Sequence, residues 1–374
     1  MKKNIIIAIT AIALMFAAHT APAQHPHNPL IQTAILLDTS NSMDGLIGQA
    51  KTQLWKIVNE FIEAEKNGLR PSLEIALYEY GNDNLSAEAG YIRQVLPLTR
   101  DLDRVSQELF ALTTKGGSEY CGQVIDEASR YLEWSNVEDD LKLIFIAGNE
   151  PFTQGPVDYH QSLKGAIARG ITVNTIYCGT EMGGIEGKWK DGALLADGHY
   201  FSINQNKASI YVETPQDKKL AELGRELNET YIGYGSNSRV FSSNQAVQDK
   251  NAQMSSMESA VNRAVFKNSV QYRNDAWDLV DALDIGTKKL SEIDAKDLPE
   301  NMQKMTPEEQ KAYIESKREQ RNQIKKEITR LTNERKAYLA EKAKESAEEK
   351  NDTLDSAIVE TIQSIIADKN FQFE

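Results

Sequence analysis

The sequence predicts an α/β protein: a doubly wound, mostly parallel sheet followed by an α-helical tail. Three observations predict it. Short continuous apolar runs, Ala34 to Leu37, Leu73 to Tyr80, Leu141 to Ala147 and Ile171 to Tyr177, each stop at turn chemistry, the pattern of strands covered on both faces. Stretches with apolar residues at helical spacing separate these runs, as in a parallel sheet wrapped by helices. Beyond Gly233 the chain turns polar and then helical, with no Pro or Gly from Glu308 to Ala347.

In chain order, residues 1–23 combine Lys2 and Lys3, an apolar stretch from Ile5 to Ala18, and Ala21-Pro22-Ala23 as a small-residue cleavage site. This is a secretory signal peptide, so the protein is expected to be exported, periplasmic or secreted. Residues 24–30, with His25 and His27, form a leader. A folded domain spans 31–235. Its first strand is followed by a helix carrying Leu46, Ala50, Leu54, Ile57, Val58, Phe61 and Ile62. Tyr91 to Leu98 reads as an antiparallel edge strand, and Asp101 to Leu112 as a helix. Leu141 to Ala147 is a central strand, His160 to Arg169 a helix stopped by Gly170, and Gly179 to Gly198 an irregular glycine-rich segment. Tyr200 to Ile203 is a last short strand. Thr214-Pro215 starts a helix that runs to about Tyr231.

Residues 236–251 are polar and serine-rich, the composition of a linker, and 252–374 form a helical C-terminal region. There Thr306-Pro307-Glu308-Glu309 has the capping-box form. The long helix after it places Ile324, Leu331 and Tyr338 seven residues apart with Ile328 between, while Lys317, Arg321 and Arg335 interrupt the seam. Such a broken heptad can support a coiled coil and a homo-oligomer, or lie as a solvated helix; both readings stay open.

With 374 residues and a formal charge of -13, the chain has length for a real core, and its acidity argues against nucleic acid or anionic lipid as partner. No segment after the signal peptide reaches transmembrane length. Cys121 and Cys178 are the two cysteines. Both fall at one edge of the expected sheet in an exported chain, so they are expected to pair as a disulfide. No Ser-His-Asp or Cys-His arrangement and no phosphate-binding glycine loop is present, which argues against an enzyme.

The stretch that organises the domain is Ile31 to Met43. Its apolar run stops at Asp38, and Ser40 and Ser42 follow at alternate positions before the first helix. Ligands of parallel sheets gather where strands end. One carboxylate and two hydroxyls offer oxygen ligands only, suited to magnesium, calcium or manganese. The same residues could instead cap the helix and shape a turn.

The spacing D-x-S-x-S after an apolar strand resembles the first metal loop of von Willebrand factor A (VWA) domains, the metal-ion-dependent adhesion site (MIDAS). The order of strands, helices and loops extends the resemblance over the whole of 31–235. It implies a Rossmann-like fold, a divalent cation, and a protein partner whose acidic side chain completes the coordination. The family's second loop usually supplies a Thr after paired glycines; here Gly116-Gly117-Ser118 puts Ser118 there, with Glu119 beside it. The third loop usually supplies an Asp, but Gly148 stands in its place, leaving Asn149 as the third-loop ligand and Glu150 as a further carboxylate. With that Asp replaced, magnesium is expected in a weak, water-rich site. The alternative is an envelope scaffold that works through its helical tail and carries a degenerate, metal-free head. The tail itself, Tyr272 to Ala282 followed by Asp297-Leu298-Pro299, looks like tails attached to VWA domains in some exported bacterial proteins.

Overall fold

The computed structural model describes residues 28–66, 68–207, 211–345, 354–368 and 371–373; the expected signal peptide, His25 and His27 lie outside the described residues. The head comprises β1 (Leu30–Asp38), α1 (Asp44–Glu63), β2 (Ala64–Lys66), β3 (Ser72–Tyr80), β4 (Ile92–Thr99), α2 (Leu102–Ala111), α3 (Cys121–Tyr131), β5 (Leu141–Gly148), α4 (Tyr159–Ile167), β6 (Thr172–Cys178), α5 (Glu181–Glu186), α6 (Trp189–Leu195) and β7 (Tyr200–Ile203). The main sheet runs β4-β3-β1-β5-β6-β7. Its strands are parallel except β4, which pairs antiparallel with β3 at the edge. The first strand extends beyond the apolar run Ala34 to Leu37 to begin at Leu30, whose amide donates to Asp140 Oδ1 at 3.1 Å. The segment expected to be irregular between Gly179 and Gly198 holds α5 and α6, fixed by the fully buried Trp189.

Each face of the sheet has its own apolar layer. One buries Leu54, Trp55 and Phe61 of α1 and Leu109 of α2; the other buries Val124 and Ile125 of α3, Leu163 of α4 and Trp189 of α6. The chain leaves β1 for β3 on one side and later returns to place β5 on the other, so the strand order reverses at β1. Crevices of open α/β sheets form at such a reversal, beyond the carboxyl ends of the strands.

The remaining elements are α7 (Asp217–Glu226), α8 (Ser238–Ser255), α9 (Met257–Asn268), α10 (Leu279–Ile285), α11 (Glu300–Gln303), α12 (Pro307–Glu345), α13 (Leu354–Asp368) and β8 (Phe371–Phe373), which pairs with β2. Helix α8 corrects the expectation of a linker over 236–251. Its polar residues have partners across the neighbouring helices: Ser106 Oγ of α2 donates to Gln248 Oε1 at 2.9 Å, and Gln245 Nε2 donates to Tyr272 Oη at 2.9 Å. A helix held by hydrogen bonds shows no apolar stripe in its sequence.

A buried ionic cluster joins these helices to the head. Arg263 of α9 pairs with Asp103 of α2 at 2.5 Å and Asp249 of α8 at 2.8 Å, and its guanidinium lies 4.3 Å from the Trp55 ring centre. The fully buried Lys267 donates to Asp249 and to the Gly224 carbonyl, each at 2.7 Å. Burial raises the Asp249 carboxyl, but Lys267 and Arg263 outweigh it and hold the group below its usual range.

Helix α12 starts with the expected reciprocal cap: the Thr306 amide donates to Glu309 Oε2 at 2.8 Å and the Glu309 amide to Thr306 Oγ1 at 3.3 Å. Its apolar seam packs within the chain, where Ile324, Ile328 and Leu331 meet Leu220, Leu223 and Leu227. The charges that interrupt the seam dock it. Arg321 binds Asp278 and Asp281 at 2.7 Å each and the Thr230 carbonyl at 2.8 Å, Arg335 binds Asp217 at 2.8 Å, and Lys317 donates to the Glu229 carbonyl at 2.8 Å.

Helix α13 lies against α1 and adds Leu354, Ala357, Ile358, Ile362 and Ile365 to the head core. Ile362→Ala is therefore expected to destabilise the whole head by about 2–5 kcal/mol, read as a lowered midpoint of a single urea transition. A loss confined to a separate early transition would show that α13 is not part of this core.

Candidate metal centre at the strand ends

Asp38, at the end of the strand where the order reverses, is fully buried. Its Oδ1 accepts the Ser40 amide at 2.7 Å, tightening its own loop, while Oδ2 is buried with no hydrogen-bond partner. Helix α1 begins at Asp44 without a side-chain cap, so Asp38 is not spent on capping. Ser40 Oγ and Ser42 Oγ lie 3.3 Å apart, and Asn149 Nδ2 donates to Ser42 Oγ at 3.0 Å. Asn149 Oδ1 is a second buried oxygen without a partner. Asp38, Ser40, Ser42 and Asn149 thus lie together at the strand ends.

The loop before α3 carries Ser118 and Glu119. Ser118 is half-buried, whereas Glu119 is buried. Glycines let that loop approach. Gly81 has φ +78°, and a Cβ there would lie 2.7 Å from Glu119 Cγ and 3.0 Å from Asp38 Oδ1. A Cβ on Gly117 would strike the Gly81 carbonyl at 2.3 Å. Asn82 Nδ2, donating to the Thr39 and Thr113 carbonyls at 3.3 and 2.8 Å, ties the first and second loops together. Glu150 is half-buried, and its carbonyl accepts Trp189 Nε1 at 2.7 Å.

Burial pushes the Asp38 carboxyl up to about 7 against the Ser40 and Asn149 hydrogen bonds, with Glu150 adding repulsion. Burial, then the charges of Asp38 and Glu150, push Glu119 up to about 7 as well. Tyr80 is the residue that sequence reasoning missed. It pairs in register with Asp38, is fully buried, and donates its hydroxyl to the Ala147 carbonyl at 2.9 Å. An aromatic at a strand end reads as ordinary core, so no sequence signal marks it.

The expected disulfide is corrected: Cys121 and Cys178 are free, buried thiols. Cys178 belongs to the layer on the α1 face of the sheet and Cys121 to the layer on the α3 face, where it approaches the Tyr80 hydroxyl at 3.9 Å. Burial raises both thiols far above their ordinary value, so neither offers a thiolate.

A central strand ending in D-x-S-x-S, at the reversal of a parallel sheet with one antiparallel edge strand, decides the fold. It is the VWA fold. No protein-family model matches the chain, and no curated protein does. Solved structures similar to it include BatB from Bacteroides thetaiotaomicron, at 16% identity, 59% coverage of this chain, 99% of that chain and a TM-score of 0.35. The VWA domain of SpRpn10 is 19% identical, covering 46% of this chain and 88% of that one, with a TM-score of 0.33. Proximal thread matrix protein 1 of the mussel byssus, with a zinc-occupied MIDAS motif, is 11% identical over 47% of this chain and has a TM-score of 0.34; the match spans 42% of that protein's length. At these TM-scores the fold assignment rests on the strand order and first loop of this chain.

The donors fit a hard divalent ion, since carboxylate, hydroxyl and amide oxygens converge and two of the buried ones lack partners. Among the described residues no group of three or more His, Cys, Asp or Glu is arranged to hold a metal.

Between the ordinary carboxylate values, 3.8 and 4.5, and about 7, the folded chain retains protons that the unfolded chain has released. These two groups therefore remove stability as pH rises through that window, and the loss persists above it. In chelator-treated protein, Asp38→Asn is expected to raise Tm relative to wild type at about pH 8 and to leave it nearly unchanged at about pH 4. A variant with lower Tm at both would mean that Asp38 is stabilised as an anion.

Proposed function

We propose that this protein is an exported binding protein, periplasmic or secreted, whose VWA head holds a hard divalent cation at the strand ends and through it binds an acidic group of a protein partner. The observation that carries the reading is Asp38: a fully buried carboxylate, one oxygen without a partner, at the point where the strand order reverses. Asp38, Ser40, Ser42 and Asn149 would hold the ion, with Glu119 and Glu150 beside them; the oxygen donors suit magnesium, calcium or manganese, and magnesium is the first choice because it keeps several waters in a site with few carboxylates. The ion would supply an open coordination position for a partner's carboxylate, and this chain's residues position and desolvate it.

Binding rather than catalysis is favoured by what surrounds the ion: carboxylates, hydroxyls and an amide, with both thiols held protonated by burial. His160 is exposed and engaged with Asp158 at 2.8 Å. Among the described residues no helix is long and apolar enough to cross a membrane; export is inferred from the N-terminal 23 residues.

A second reading draws on the tail. Helices α9 and α13 are fastened to the head by a buried ion pair and apolar packing, and α7 and α12 pack within the helical region. In a scaffold that works through this helical region, the head would need no metal. The two readings separate on Asp38.

Titration calorimetry of magnesium, calcium and manganese into the chelator-stripped mature chain is expected to give binding that Asp38→Ala abolishes, with partner capture lost in parallel. Partner capture that survives both Asp38→Ala and chelation would overturn the metal-dependent reading and favour the scaffold.

A further inference from the structure

We infer that the second fixed carboxylate of the cation site is Glu119, delivered by the loop before α3, and that Tyr80 closes the third-loop position to an acidic side chain. This deepens the cation-binding reading above and rests on it. The first part of the argument is steric. A Cβ built on Gly148 would lie 2.5 Å from the Tyr80 hydroxyl and 3.1 Å from Asp38 Oδ2, and the first of these is closer than real Cβ atoms come. Tyr80 has no room to yield, being fully buried and held by its bond to the Ala147 carbonyl. Strand pairing fixes the conflict, since Tyr80 lies opposite Asp38 on β3 and Ala147 lies opposite Leu37 on β5. An aspartate at 148 therefore has no space while Tyr80 keeps its hydroxyl.

The second part is electrostatic. Glu119 is only 5% exposed and has no ion-pair partner among the described residues. Its side chain crowds the same space as Asp38 Oδ1, and only a glycine at 81 leaves that space open. Its amide donates to Gln154 Oε1 at 2.5 Å, which ties down the backbone that carries it. Buried carboxylates drawn close together repel each other, and a cation between them supplies the missing charge. Affinity for hard cations rises with the number of ligand charges, so Glu119 restores from the second loop what Gly148 removes from the third. Ser118, at the position where a hydroxyl was expected, is then not a required ligand.

The test is manganese and magnesium titration of the full mature chain by calorimetry, with paramagnetic resonance of bound manganese as a second readout. Wild type is compared with Asp38→Ala, Glu119→Gln, Ser118→Ala and Gly148→Asp, each checked for native circular dichroism. Glu119→Gln is nearly isosteric and removes a repelling charge, so it should fold. Glu119→Gln is expected to weaken binding by roughly tenfold or more and Ser118→Ala by less than about twofold. Gly148→Asp is expected to lower Tm without tightening binding. Equal binding by wild type and Glu119→Gln, with loss in Ser118→Ala, would overturn the Glu119 assignment and leave the cation site standing. Tighter binding by Gly148→Asp would overturn the role given to Tyr80. Absence of binding in wild type would instead remove the cation-binding reading itself.

Discussion

One carboxylate sets the terms for the head. Asp38 ends the central strand, is removed from water, and meets amides and a hydroxyl but no positive charge among the described residues. Burying an ionised group without a counter-charge is unfavourable enough that proteins protonate it or neutralise it with an ion. The surroundings are built around this difficulty. Glycines 81, 117 and 148 strip side chains from three loops so that they can close on Asp38. Ser40, Ser42 and Asn149 supply oxygens, and two layers of apolar side chains hold the strands that aim them. A site with this much unbalanced negative charge is poised to take up a proton or a cation.

The tail solves the opposite electrostatic problem. Arg263, Lys267 and Arg321 are buried cations, each with carboxylate partners within ion-pair distance: Asp103 and Asp249 for Arg263, Asp249 for Lys267, Asp278 and Asp281 for Arg321. Breaking such pairs leaves a stranded charge, whereas keeping them fixes which helices meet and in what register. The head and tail therefore share one structure, with α13 in the head core and α9 stacked on α1 through Trp55 and Phe266, whose ring centres lie 5.1 Å apart. In the strand-end site the charges are all of one sign; in the tail they are matched.

Much of the head was legible because its signals are local. Apolar runs that stop at Asp38, Gly81 and Gly148 mark strand ends, and helix-spaced apolar residues mark the covering layers. The Thr306 capping box declares the start of α12 in four residues. The features that were not legible all depend on partners distant in sequence. Gln245 and Gln248 look like linker residues until Tyr272 and Ser106 are placed against them. Arg321 and Arg335 look like breaks in a heptad until Asp278 and Asp217 meet them. Cys121 and Cys178 look like a disulfide because both fall at the strand ends, but the sheet puts their side chains in different layers.

By itself, the sequence determined the α/β class, the first metal loop and the substitution at Gly148, because strand, turn and helix signals are written in neighbouring residues. Only the tertiary structure decided that Glu119 comes close to Asp38, that Tyr80 occupies the space a side chain at 148 would need, and that α12 packs on α7 of its own chain. Those outcomes depend on which side chains reach one point from strands and helices tens to hundreds of residues apart. No periodicity in the chain encodes them; packing does.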